Sequence, residues 1–301
     1  MRYMRFMFSL LRSLPSIRIF LTSNQIGGDY GIGFRAKLGL LIRFHRNTRR
    51  IETLSDFREH MELAAAVLRV PRATEGCVVE CGCYVGGSTA NLSLVCAMTG
   101  RKLMIFDSFE GLPEPAHYDR WHHAIHAEHT DIYYKGRFAA TRETVQRNIS
   151  KFGELSVCDF RVGYYGQTMS DIREPIVMAF LDVDLIDSLR PCLVGLWPNL
   201  RPGCRMYTHE ARNLAFISVY FDQAWWRQNL GEDAPGFVGS GVGLPLGLHS
   251  NWGSELGYAQ KPDQASGIAP DQDPQILERA LFDSEKAAFA QLRADRLASG
   301  G

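Results

Sequence analysis

Apolar residues follow two different spacings along this chain of 301 residues. Across residues 54–68, Phe57, Met61, Leu63, Ala64, Val67 and Leu68 fall at helical intervals, and Pro71 ends the run. Short, mostly apolar runs come next: Cys77–Cys81, 103–106, the fully apolar Ile176–Leu181 and 204–208, with a weaker one at 159–162. Their length and β-branched content predict buried strands. Between them, residues 88–98, 141–152 (stopped by Gly153) and 189–200 (closed by Pro202-Gly203) read as helices. Strands alternating with helices of these lengths imply a mostly parallel sheet with helices on both faces. No internal repeat interrupts the alternation.

The ends of the chain read differently. Residues 1–50 form a basic N-terminal helical extension, 51–260 the main α/β domain, and 261–301 a linker and C-terminal helix. The stretch 236–257 is glycine-rich and reads as turns or a hairpin. The linker at 261–275 is rich in Pro, Asp and Gln, and 276–297 is amphipathic. At the N-terminus the longest uncharged run, 6–11, is too short to span a membrane or to form a secretory core. Arg2, Arg5, Ser9 and Arg12 share one helical face, with Met4, Phe8 and Leu11 elsewhere. Either the helix lies on a membrane surface, or it packs on the body or on a partner subunit. Both terminal helices suit assembly into a homo-oligomer.

Charge and cysteine content narrow the classes. Lys plus Arg number 33 and Asp plus Glu number 33, so nothing points to nucleic acid as a partner. Seven cysteines without a signal peptide disfavour a disulfide framework and favour the reducing cytoplasm. Cys77, Cys81 and Cys83 alternate along a strand as small buried hydrophobes, the rival reading being a C-x-C metal site.

The candidate chemistry begins at the turn after the first strand. Glu80-Cys81-Gly82-Cys83-Tyr84-Val85-Gly86-Gly87-Ser88 is a glycine-rich turn opening a helix, and the next strand ends in Asp107. That order builds a nucleoside-binding crevice at the carboxyl ends of parallel strands, with Asp107 placed for ribose hydroxyls. The nicotinamide form wants Gly-x-Gly-x-x-Gly, and this chain has Gly82-x-x-x-Gly86-Gly87 instead, which disfavours an oxidoreductase. An acid two residues before the first glycine is typical of S-adenosylmethionine-dependent methyltransferases. A carboxylate in a buried strand also demands a partner. The rival reading is a plain helix-capping turn with Glu80 facing solvent.

The runs VVECGCYVGG at 78–87 and IFDSFEGLPEP at 105–115 resemble the macrocin-type (TylF/MycF) O-methyltransferase family. Supporting segments are RETVQRNISKFG at 142–153, RVGYYGQTM at 161–169 and FLDVDLIDSLRPCLVGLWPNLRPGC at 180–204. The resemblance covers residues 50–260. It implies a Rossmann-like class I methyltransferase fold and methyl transfer from S-adenosylmethionine to a hydroxyl of a sugar-containing or other small polar acceptor, with a divalent cation, usually magnesium. The cofactor-binding residues so implied are Glu80, Gly82, Tyr84, Gly86, Gly87, Ser88, Asp107, Ser108 and Gly163.

Asp182 and Asp184 end a buried strand where the crevice opens, a position from which carboxylates can hold a hard cation and accept a hydroxyl proton. Capping of the following helix, by this pair or by Asp187, is the rival reading. Two departures from the family stand nearby. His209-Glu210 replaces two consecutive aspartates, and Ile186 replaces a tyrosine. The expected catalytic residues are Asp182, Asp184 and His209, and the expected metal ligands are Asp182, Glu210 and His209. Imidazole would tilt preference from magnesium toward a transition metal. The same departure motivates the alternative of a catalytically impaired methyltransferase-like binding protein. Finally, five of the nine histidines lie between His117 and His129, beside Tyr118, Trp121, Tyr133 and Tyr134. They read as a lid over the acceptor, a polar surface loop or a zinc site.

Overall fold

The computed structural model describes residues 2–116, 119, 133–248 and 253–263. The chain divides into two compact units, Met1–Lys261 and Pro262–Gly301. The expected helix 276–297 and the histidines between His117 and His129 lie outside the described residues, as do Tyr118 and Trp121.

The first unit is built on six strands: β1 (Cys77–Cys81), β2 (Leu103–Asp107), β3 (Cys158–Val162), β4 (Ile176–Leu181), β5 (Leu200–Thr208) and β6 (Gly257–Gln260). Their order is β3-β2-β1-β4-β5-β6; the first five run parallel and β6 pairs antiparallel with β5. β1 and β4 are buried along their whole length, as central strands covered on both faces must be. Among the described residues the helices longer than five residues are α1 (Arg2–Thr22), α2 (Phe34–Asn47), α3 (Phe57–Arg69), α4 (Gly87–Thr99), α5 (Arg142–Phe152), α6 (Ile186–Leu196) and α7 (Gln223–Leu230). α2, α3, α4 and α5 pack on one another, with α3 against β4 and α4 against β2. A second group, α6 with the short helix Tyr165–Thr168, rests on the same two strands. The expected parallel α/β layering is present.

Two expectations need correction. The helix expected at 189–200 starts earlier and stops at Leu196, followed by a 3₁₀ turn, Trp197–Asn199. Pro202-Gly203 therefore does not close a helix: it lies within β5. There Ile176 pairs with Leu200 but Met178 pairs with Arg205, so residues 201–204 bulge away from β4. β6 was also hidden from sequence, since four residues beside a glycine-rich stretch carry too little pattern to read.

α1 lies on the body through its serines. Ser13 Oγ is 2.7 Å from Leu246 O, and Ser9 Oγ donates to Gly247 O at 3.0 Å. Arg58 Nη1 donates to both hydroxyls, at 2.9 Å to Ser13 and 2.7 Å to Ser9, while its Nε holds Asp56 at 2.7 Å. Ser13 and Phe20 are buried against the body, and Leu11, Leu14 and Ile19 face out. Of the two readings of this helix, packing on the body is the one seen. No helix among the described residues is long and apolar enough to cross a membrane.

Because Arg58 is buried and charged, its bonds to the two serines stabilise the docking by about 2 kcal/mol. Arg58→Met is expected to release α1, making the bonds after Arg12 and Arg18 trypsin-sensitive while the rest of the first unit resists. Limited proteolysis with mass spectrometry checks this.

Candidate active site

β1 and β4 lie side by side, yet their connections run to opposite sides of the sheet, which leaves a crevice at their carboxyl ends. Gly82 sets its width. It has φ 83°, and a Cβ there would lie 1.9 Å from Asp182 O. No residue with a side chain fits. Gly87, the first residue of α4, is equally constrained, since a Cβ would lie 2.8 Å from Thr53 Cβ.

Asp107 ties the two loops above the sheet. Its Oδ2 accepts from the Cys83 N–H at 2.7 Å and its Oδ1 from the Phe109 N–H at 2.7 Å. Ser108 closes the following turn by donating to Gly111 O at 3.0 Å. Gly111 then pairs closely with the far end of the 111–138 connection, where Leu112 N–H donates to Arg137 O at 2.8 Å. A Cβ on Gly111 would lie 2.4 Å from that same oxygen, which explains the glycine in this segment.

The crevice spans about 860 Å³, a volume that includes space open to solvent. Of the expected residues, Gly82, Tyr84, Gly87, Ser88, Asp107, Ser108, Gly163, Asp182, Asp184 and His209 line it. Glu80, Gly86 and Glu210 do not. Glu80 sits one layer behind: Ser88 Oγ donates to its Oε1 at 2.5 Å, and its buried Oε2 has no hydrogen-bond partner among the described residues. Glu80 thus does not face solvent, and it meets the crevice through Ser88. Sequence reading missed Glu52, Thr53, Leu54, Phe138 and Tyr165, which also line the space. The first three precede α3 and carry no motif; only the fold brings them to Gly87. Among the described residues the four non-glycine residues with positive φ, Tyr84, Phe109, Phe138 and Asp184, all cluster here, three of them in the lining. Strained backbone of this kind persists where the surroundings enforce it, commonly at functional sites.

The two aspartates are not helix caps. The first N–H of α6, at Ile186, donates to Asp119 Oδ1 at 3.1 Å, so neither Asp182, Asp184 nor Asp187 supplies that bond. Asp184, at φ 60°, donates its N–H to Glu210 Oε1 at 3.0 Å. Burial, then the neighbouring Asp182 charge, raises the Asp184 carboxyl to about 7, with the Tyr133 hydroxyl opposing. Burial raises Asp182 as well, against the pull of His209. Glu210 is raised to about 8 by burial and by Asp182 and Asp184. Burial raises Glu80 to about 8, the Ser88 and Thr89 hydroxyls only partly offsetting it.

The expected metal set does not come together. Both Glu210 oxygens are engaged, one by the Asp184 N–H and the other by the Thr208 hydroxyl. The His209 ring stands between two carboxylates, Asp182 at 3.6 Å and Glu59 at 3.4 Å. Burial would lower its pKa, but Asp182 and Glu59 together hold it well above the usual histidine value. Among the described residues no group of three or more His, Cys, Asp or Glu is placed to share a metal ion. Asp182, His209 and Glu210 as found do not fit a divalent cation. Nor do the cysteines: Cys77, Cys81 and Cys83 are buried, and burial raises all three thiols.

Sheet order, switch-point crevice and glycine turn define a Rossmann-like fold of the class I methyltransferase type. The O-methyltransferase NovP shares it, with TM-score 0.52 and 17% identity over 70% of this chain and 82% of that one. The model of the macrocin-O-methyltransferase (TylF) family matches residues 52–210, and the chain belongs to that family. A Streptomyces olivaceus protein, 8-demethyl-8-(2,3-dimethoxy-alpha-L-rhamnosyl)-tetracenomycin-C 4'-O-methyltransferase, is 31% identical over 160 residues. That match spans 48% of this chain and 60% of the relative's length.

The raised carboxyls predict a pH dependence. Glu80 ionises near 4.5 when unfolded and near 8 when folded, so between these values the folded chain holds the extra proton. Stability of the ligand-free protein therefore falls as pH rises from 5 to 8. Glu80→Gln should flatten that decline, measured as the urea midpoint at each pH.

Proposed function

We propose that this protein is an S-adenosylmethionine-dependent O-methyltransferase acting on a hydroxyl of a sugar-containing small metabolite. The observation that carries the reading is the crevice at the β1–β4 switch point, where the glycine turn, Asp107 and Asp182 converge. Membership of the family supports the reaction class, and the rhamnosyl acceptor in the Streptomyces relative's name supports the substrate class.

The residues present fit this cofactor. Gly82 and Gly87 leave room where any Cβ would collide. Asp107 and Ser108 stand where ribose hydroxyls would be bonded, and the acid-lined wall favours a cationic ligand. Glu80, through Ser88, shapes the end of the crevice at the start of α4. When bound, S-adenosylmethionine supplies an electrophilic methyl group. The chain's own part is to hold the acceptor hydroxyl and take its proton. Asp184, titrating near 7, is the base: it is ionised often enough at neutral pH to accept a proton and basic enough to want one. Asp182 orients the hydroxyl from the adjacent wall, beside the positive His209. Tyr133, bonded to Asp184, holds the carboxylate in place and favours its ionised form. The alternative of a binding protein without catalysis rested on His209-Glu210; the crevice keeps both aspartates in its lining, which favours the catalytic reading.

Isothermal titration with S-adenosylhomocysteine tests the proposal. One site per chain is expected, and Asp107→Asn should weaken it about tenfold to a hundredfold, the loss of one charged hydrogen bond. Absence of binding, or undiminished binding by a folded Asp107→Asn variant, would overturn the assignment.

A further inference from the structure

Charge is unevenly divided along the chain. Residues 1–50 hold nine arginines, one lysine and a single acid, Asp29, although acids and bases balance over the whole sequence. The remainder therefore carries an excess of nine acids. Asp29 is itself engaged, its Oδ2 accepting from the Arg72 N–H at 2.9 Å. None of the basic residues in this stretch lines the crevice. Most of them lie on α1 and α2, which pack on each other.

The two helices turn both basic and large apolar side chains to solvent. α2 buries Lys37, Leu40, Leu41 and Phe44, and Lys37 Nζ donates to Ser23 O at 2.7 Å, just past the end of α1. Its outward face presents Phe34, Leu38 and Ile42, spaced four apart and so aligned in one stripe. Arg46, one turn further on, and Arg49 extend that face, and Arg35 flanks it; all three are exposed. α1 repeats the arrangement. Ser13 and Phe20 mark its buried side, while Leu11, Leu14 and Arg18 fall on one outward stripe with Ile19 beside it. Single exposed apolar residues need no explanation, but six large ones on two adjacent helices, interleaved with arginines, do.

The occupant must answer both features. A second copy of the chain does so poorly, because a two-fold interface sets the same patch against itself and arginine would meet arginine. Nucleic acid would take the arginines and leave Phe34, Leu38 and Ile42 in water. An anionic bilayer satisfies both: apolar side chains enter the boundary between headgroups and acyl chains, and the guanidinium groups stay level with the phosphates. We propose that the outward face of α1 and α2 docks this protein on a membrane surface containing anionic phospholipid. The helices lie on that surface, since neither is long and apolar enough to cross it. The contact makes no use of the crevice, so it stands apart from the methyl-transfer reading.

Co-sedimentation of the full chain with lipid vesicles tests this. At low salt the protein is expected to pellet with vesicles of equal parts phosphatidylcholine and phosphatidylglycerol and to stay in solution with phosphatidylcholine alone. Raising the salt should release it. Arg46→Glu combined with Arg49→Glu should weaken partitioning about twentyfold or more. Leu38→Glu combined with Ile42→Glu should abolish it, by removing the apolar anchor. All four side chains are exposed, so both double variants should keep the wild-type melting temperature. Failure of the wild type to bind the mixed vesicles at low salt overturns the proposal, as does undiminished binding by either folded variant. Equal binding to phosphatidylcholine alone removes the arginines from the account and overturns it too. A wild-type dimer in light scattering that the Leu38→Glu, Ile42→Glu variant turns into a monomer would assign the face to a second copy instead.

Discussion

The approach of two strand ends governs this structure. Where β1 and β4 finish, Gly82 lies so near the Asp182 carbonyl that any side chain would occupy the oxygen's own position. The constraint holds the crevice narrow and aims the residues after each strand into it. Gly82 leads to the turn that opens α4, and Asp182 leads to the strained Asp184 and then to α6. Asp107 completes the frame by bonding one backbone N–H from each neighbouring loop. The geometry is fixed by backbone and by buried acceptors, so the exposed lining is left for ligand.

The frame concentrates acid where solvent is scarce. Asp182, Asp184, Glu210 and Glu80 all have raised carboxyl pKa values, chiefly through burial. Such a cluster is costly without compensation. His209, which faces Asp182 and Glu59, and Arg137, whose charge acts on Asp184, offset part of this cost. A cationic ligand would relieve the remaining acids, so ligand binding and stability should be coupled.

The parallel sheet, the glycine turn, Asp107 and the aspartate pair were legible in the sequence because each has a local signature: an apolar run, a glycine at a strand end, a carboxylate where the run stops. What escaped was set by contacts across the fold. Thr53 and Leu54 reach the crevice only because α3 docks on α4. Glu59 reads in sequence as the acid of a capping box, a role it does play, and nothing local says that it also backs His209. The metal expectation finds no matching cluster among the described residues, and a two-residue departure at the end of β5 cannot reveal that a buried glutamate stands beside the His209 ring from 150 residues earlier. The N-terminal helix docks because Ser9 and Ser13 meet carbonyls and an arginine on the body, a pairing across the fold that no local pattern announces.

The central claim is that the β1–β4 crevice is a cofactor site. Hydrogen–deuterium exchange with and without S-adenosylhomocysteine tests it most directly, because exchange reports where a ligand sits. Slowed exchange in residues 82–88 and 107–112, with β6 and α7 unchanged, is the predicted result. Protection confined to other segments, or none at saturating ligand, would contradict the account.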